Sequence, residues 1–202
     1  MATPVDAIVW IDFEMTGLDL SKDAVVEVAC LITDSELNEQ DEGLSLVVTT
    51  DESKLASMVE IVREMHKASG LLDQIADGVK LDEARATLTE YVKSRVPEAR
   101  KAPLAGSSVY VDRMFLARDF AEVDEHLHYR LIDVSSIKEL ARRWYPKTFF
   151  AAPEKYGNHR ALADIRESIA ESRYYREAIL VPQPGLTTQA AKVIADKHVR
   201  PM

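Results

Sequence analysis

Three apolar runs rich in β-branched residues, 7–13 (AIVWIDF), 24–33 (AVVEVACLIT) and 42–50 (EGLSLVVTT), follow one another through short polar connections such as DSELNEQD. This spacing constrains the fold more than any other feature of the chain. Such runs read as strands, and parallel neighbours would each need a crossover of a dozen or more residues. The connections are too short for that, so the first three strands should run antiparallel as a meander. Short helices are expected after Thr50-Asp51 and over 60–70, the second stopped by Gly70, and residues 81–95 carry the spacing of an amphipathic helix with Pro97 just beyond. From there the pattern becomes strand (102–106), helix (112–123), strand (130–134) and helix (136–145). A meander followed by βαβ units predicts an α/β chain with a mixed five-stranded sheet flanked by helices. Residues 146–158, with two prolines and a glycine, read as a loop, and 159–179 as a long helix. VPQPG at 181–185 then closes a domain of residues 1–180, and 181–202 are expected to form a mobile C-terminal tail.

Composition excludes several classes. A chain of 202 residues with 47% hydrophobic and 29% charged residues fits one globular domain. No apolar run reaches the roughly 18 residues of a membrane span, and no basic segment precedes an apolar signal core, so a cytoplasmic protein is expected. The single cysteine, Cys30, lies inside an apolar run and reads as a small buried side chain. With 34 acidic and 25 basic residues the net charge is −9, which argues against a protein that grips long nucleic acid through many phosphates. It does not argue against a very short one, because the charge requirement scales with the number of phosphates touched.

The first strand ends unusually. Asp12 and Glu14 stand two residues apart, hence on one face of a strand, and two adjacent carboxylates repel unless a cation lies between them. Carboxylate oxygens suit hard divalent ions such as magnesium or manganese. Asp112 follows the apolar SSVYV and opens a helix; Asp164 lies in the first turns of the last long helix. Taken singly, each has a structural explanation as a helix-start acid. Together they place four acids where strands end and helices begin, which is where α/β sheets gather their sites. His159 sharpens the pattern. Five positions on a helix turn a side chain through about 500°, so His159 can share a centre with Asp164 only from the loop side of the helix start. A neutral imidazole beside a metal-activated water is what a general base requires.

WIDFEMTGLDL, Asp112 in SSVYVDRMFL, HYRLIDVSSIKELARRWYP, and HRALADIRESIAESRYYRE with its H-x-x-x-x-D spacing together resemble the oligoribonuclease family of ribonuclease H-like exonucleases, over Ile8 to Glu177. The resemblance implies a metal-dependent 3′-to-5′ exoribonuclease that degrades very short oligoribonucleotides, dinucleotides and pGpG among them, to nucleoside 5′-monophosphates. It implies two divalent ions, Mg2+ or Mn2+, held by Asp12, Glu14, Asp112 and Asp164, with His159 as general base. It further implies that Leu18 wedges against the bases and that His66, Ser108, Arg130 and Ser135 surround the 5′-phosphate end. Tyr129 would reach the active site of the neighbouring subunit in a homodimer. Where many family members carry a base-stacking tryptophan, this chain has Ile61, which forgoes a stacking contribution of about 1–3 kcal/mol per base. Two other readings are a superfamily relative acting on longer RNA or on DNA, and a noncatalytic module that keeps the fold.

Overall fold

The alternation along the first strand decides which side of the sheet each layer occupies. In the computed structural model, which describes residues 6–154 and 159–199, the strands are β1 (Ile8–Met15), β2 (Val25–Thr33), β3 (Leu44–Val47), β4 (Pro103–Gly106) and β5 (His128–Asp133). They form one sheet in the order β3-β2-β1-β4-β5. β1, β2 and β3 pair antiparallel, whereas β4 joins β1 and β5 joins β4 in parallel. The mixed five-stranded sheet expected from the connection lengths is therefore present.

The connecting helices are α1 (Glu52–Ala56), α2 (Glu60–Ala68), a 3-10 turn at Ile75–Asp77, α3 (Leu81–Arg95), α4 (Tyr110–Asp119), α5 (Ala121–His126), α6 (Val134–Trp144), α7 (Pro146–Phe150), α8 (Ala161–Ile179) and α9 (Thr188–Asp196). Val9, Ile11, Phe13 and Met15 of β1 point into a core closed by Leu88 and Val92 of α3 and by Phe115 and Leu116 of α4. Ile8 and Trp10 point the other way, against Ala161, Ile165 and Ile169 of α8. Trp10 is fully buried and its Nε1–H donates to Thr33 Oγ1 at 3.0 Å, so the indole's one polar group is satisfied. By the same alternation Asp12 and Glu14 belong to the α8 face.

Two expectations are corrected. The helix expected over 112–123 is two helices separated at Phe120, which leaves helical geometry at φ −131 and ψ 45. Doing so buries its ring against Phe13, with centroids 5.3 Å apart; periodicity cannot register a break whose benefit is a distant stacking partner. The loop expected from residue 146 begins instead with α7, since proline at the first helical position has no amide that the helix would need. Residues 155–158 of that stretch lie outside the described residues. The expected tail holds α9, whose N-cap Thr187 accepts the Ala190 amide at 3.2 Å.

Because Phe115 is fully buried between α4 and the sheet, Phe115→Ala should cost about 3–5 kcal/mol in chemical denaturation. A loss below about 1 kcal/mol would contradict this placement of the core.

Candidate active site

β1 runs past Phe13 to Met15, so both acids sit within the strand rather than beyond it. The chain then turns sharply at Thr16-Gly17. Thr16 Oγ1 donates to Asp23 Oδ1 at 3.0 Å, the Asp19 amide donates to Asp23 Oδ2 at 2.8 Å, and a Cβ on Gly17 would stand 2.4 Å from that same oxygen. Asp23 thus fills the space a side chain would need, which is why glycine follows the threonine. Leu18 at the tip is 67% exposed.

Asp112 reaches the strand for a topological reason. The parallel partner β4 pairs with β1 only at Val9 and Trp10 and ends at Gly106, so further along β1 a ladder amide needs another acceptor. Phe13 N–H donates to Asp112 Oδ1 at 3.0 Å. α8 brings the last acid: among the described residues, Asp12, Glu14 and Asp164 each place a carboxylate oxygen in a set lying within 4.8 Å of one another. Asp112 stands outside that triple, on the α4 side.

This crowding changes the chemistry of every member. Asp12 is pushed well above the ordinary carboxylate range, first by burial and then by the charges of Asp112, Glu14, Asp164 and Glu27. Glu14 is pushed up to about 8 by burial and by Asp164, Glu27 and Asp112, against the opposing pull of Arg160. Burial pushes Asp112 up to about 7, although the Phe13 amide favours its charged form. Acids in this state ionise readily only if a cation arrives, and an all-oxygen donor set fits a hard divalent ion.

His159 lies just before α8, as its spacing from Asp164 requires, with φ at +46. The left-handed region costs a non-glycine residue about 1–2 kcal/mol, so neighbouring contacts must hold it there. Ser108 adopts the same region at φ +54, and Asp133 shows how it is held: its Oδ1 accepts the amides of Ser108 at 3.0 Å and Ser135 at 2.9 Å. Asp133 is thereby the N-cap of α6. The two serine hydroxyls then meet at 3.1 Å. Arg130 is exposed on β5, its guanidinium 5.5 Å from the ring centroid of Tyr129, which is itself 75% exposed. His66 is placed differently from the others. It is buried at 1% exposure, and because a carbonyl only accepts, its Nε2–H donates to Met15 O at 2.9 Å. Nδ1 then faces Glu14 Oε2 at 3.8 Å, and burial lowers the imidazole pKa, which keeps it neutral.

Two residues went unread in the sequence. Glu27 on β2 lies opposite Glu14 in the β1 register and is 1% exposed, with Arg160 against it at 2.9 Å. The available signal was a lone acid inside VVEVACLIT, since a buried charge needs a partner. Asp133 carried the weaker signal of an acid directly ahead of a helix.

Comparison with known proteins places this geometry in a lineage. The exonuclease family model RNase_T matches residues 9–172. The oligoribonuclease of Streptomyces avermitilis is 60% identical over 196 residues, 97% of this chain and 98% of that protein. The oligoribonuclease of Mycobacterium tuberculosis strain H37Ra is 50% identical over 193 residues, 95% of this chain and 90% of that protein. Among solved structures, exonuclease I from Methylocaldum szegediense superimposes with a TM-score of 0.60 at 21% identity, over 87% of this chain and 41% of that one. The zinc-bound E. coli ExoI–ssDNA complex gives a TM-score of 0.64 at 16% identity, over 86% and 41%. This chain therefore spans about two fifths of exonuclease I, and that likeness establishes the ribonuclease H-like fold alone. Among the described residues, no helix is long and apolar enough to cross a membrane.

The raised carboxyl groups define a pH dependence. Glu14 at about 8 and Asp112 at about 7 bind protons more tightly folded than unfolded, so their contribution to stability is complete below about pH 4 and is lost as pH rises through 7 to 8. In chelator the melting temperature should fall between pH 5 and 8, and excess Mg2+ should flatten that slope. Identical slopes with and without metal would contradict the shared-cation reading.

Proposed function

The chain belongs to the RNase_T exonuclease family and is a metal-dependent 3′-to-5′ exoribonuclease, and we propose that its substrates are very short oligoribonucleotides, dinucleotides such as pGpG above all, cleaved to nucleoside 5′-monophosphates. The observation that carries this reading is the convergence of Asp12, Glu14 and Asp164, with Asp112 fixed beside them by the Phe13 amide. These four carboxylates would hold two divalent ions, Mg2+ or Mn2+. Ions bound there would supply Lewis acidity to the attacking water and to the phosphate oxygens.

The remaining work belongs to side chains. His159, on the loop side of the α8 start, accepts the proton of the attacking water. His66 lies behind Glu14, its Nδ1 3.8 Å from Glu14 Oε2, and belongs with the residues around the 5′-phosphate end. Leu18 and Ile61, 67% and 71% exposed, offer aliphatic surfaces to the bases. Ser108 and Ser135, paired by Asp133, take the 5′-phosphate together with Arg130. A phosphate gripped by hydroxyls and a guanidinium closes the groove to a longer chain. Tyr129 stands on the edge strand β5 and, like Leu131 and Trp144, is exposed, which supports a homodimer in which each Tyr129 reaches the partner's site. The net charge of −9 fits a substrate with few phosphates. A cytoplasmic location accords with these substrates.

A digestion series of 5′-labelled oligonucleotides from two nucleotides upward, in RNA and DNA forms, tests the substrate. Turnover should be greatest on the RNA dinucleotide. A rate rising steadily with length would favour an enzyme of longer RNA, and preference for the DNA series a DNA exonuclease. In the same assay His159→Ala should lower turnover about 100-fold or more with the fold intact. Full activity in that variant would remove His159 from the mechanism.

A further inference from the structure

β2 is buried along its whole length, and Glu27 stands within it. A carboxylate there is tolerable only if its oxygens are fully engaged, and they are. Arg160 Nε approaches Oε1 at 3.1 Å and Oε2 at 3.2 Å, and its Nη2 approaches Oε1 at 2.9 Å. The Ala161 amide donates to Oε2 at 3.2 Å, and Ser45 Oγ donates to Oε1 at 3.1 Å. One carboxylate therefore ties β2, β3 and the start of α8 together.

What it ties down is the segment that carries the chemistry. α8 begins at Ala161 without a side-chain cap of its own, because the N-cap position is held by Arg160 in extended geometry. The first amides of a helix need acceptors, and Glu27 supplies one from another strand. Next to Arg160 is His159 in the left-handed region, a conformation that persists only where surrounding contacts determine it. One turn onward is Asp164. On the other side of the sheet ladder Glu27 faces Glu14. A fifth carboxylate beside four crowded ones is electrostatically wasteful, and apolar residues of similar volume commonly stabilise as well as or better than a buried ion pair. The pair's distinctive property is direction: a guanidinium meets a carboxylate in a fixed planar fork that a lysine ammonium cannot reproduce.

We propose that Glu27 and Arg160 are positioning residues for the reaction, and that their two-pronged contact aims the His159 imidazole and sets the entry of Asp164 relative to Glu14. The inference rests on the reading of His159 as the general base. It distinguishes geometry from charge: Arg160→Lys keeps the positive charge and removes the fork.

The test combines kinetics on an RNA dinucleotide with amide hydrogen exchange over residues 160–165. Misplacing a reacting group by about 1 Å costs on the order of 100-fold, so Arg160→Lys should lower kcat by about 10- to 100-fold while KM stays within about threefold. Exchange at 160–165 should quicken in the same variant, with and without Mg2+. Added to His159→Ala, Arg160→Lys should cause a smaller further loss than it causes alone, because one of the two groups it positions is already gone while Asp164 remains. Glu27→Gln, nearly isosteric, should reproduce both effects and serves if the arginine variant folds poorly. Near wild-type kcat and exchange in Arg160→Lys would reduce the pair to charge compensation and overturn the proposal, as would losses that multiply in the double variant. If the wild-type chain fails on dinucleotides, the substrate reading falls, while the exchange measurement still decides whether the fork holds this segment.

Discussion

Repulsion among carboxylates at the end of β1 is the constraint around which the rest of the molecule is organised. Two unit charges 4 Å apart repel by about 4 kcal/mol at an effective dielectric of about 20, and a domain of this kind has only about 5–15 kcal/mol of stability to set against it. Asp12, Glu14 and Asp164 each place a carboxylate oxygen within 4.8 Å of the others, and Asp112 and Glu27 add their charge to the same region. Without a cation the protein meets the conflict by holding protons, which is why Glu14 and Asp112 titrate near neutrality. With one, the same crowding becomes binding energy for a divalent ion.

The fold keeps those acids together in spite of their repulsion by anchoring each to a different rigid element. Two lie on a strand buried on both faces, one on α4 through the Phe13 amide left over where β4 stops, and one on α8 packed by Ile165 and Ile169. Two further carboxylates act on backbone. Asp133 gathers Ser108 and Ser135, and Glu27 gathers Arg160 and Ala161. In each case a strand acid holds the residue at or beside a left-handed position. Accuracy at the site thus derives from the sheet, and the loops beside it borrow it through single side chains.

Much of this was legible in the chain. Short connections between β-branched runs imply antiparallel pairing, and the later strand-helix alternation implies the parallel half of the sheet; both follow from chain reach. Asp12 and Glu14 were visible because strand periodicity puts them on one face, and the offset of His159 from Asp164 because helical periodicity separates them. What remained hidden depends on partners distant in sequence. Phe120 breaks a helix to reach Phe13; His66 turns inward to Met15; Glu27 answers to Arg160, 133 residues away. In none of these does the local sequence name the partner, since the energy that decides it comes from another element.

The most direct measurement is calorimetric titration of Mn2+ or Mg2+ into the metal-free protein at pH 7, in buffers of different ionisation enthalpy. Ions entering a set of partly protonated carboxylates must displace protons, so the apparent binding heat should vary with the buffer, and Asp12→Asn should abolish tight binding together with most of that dependence. Binding whose heat is the same in every buffer, or a chain that takes up no divalent ion, would contradict the account.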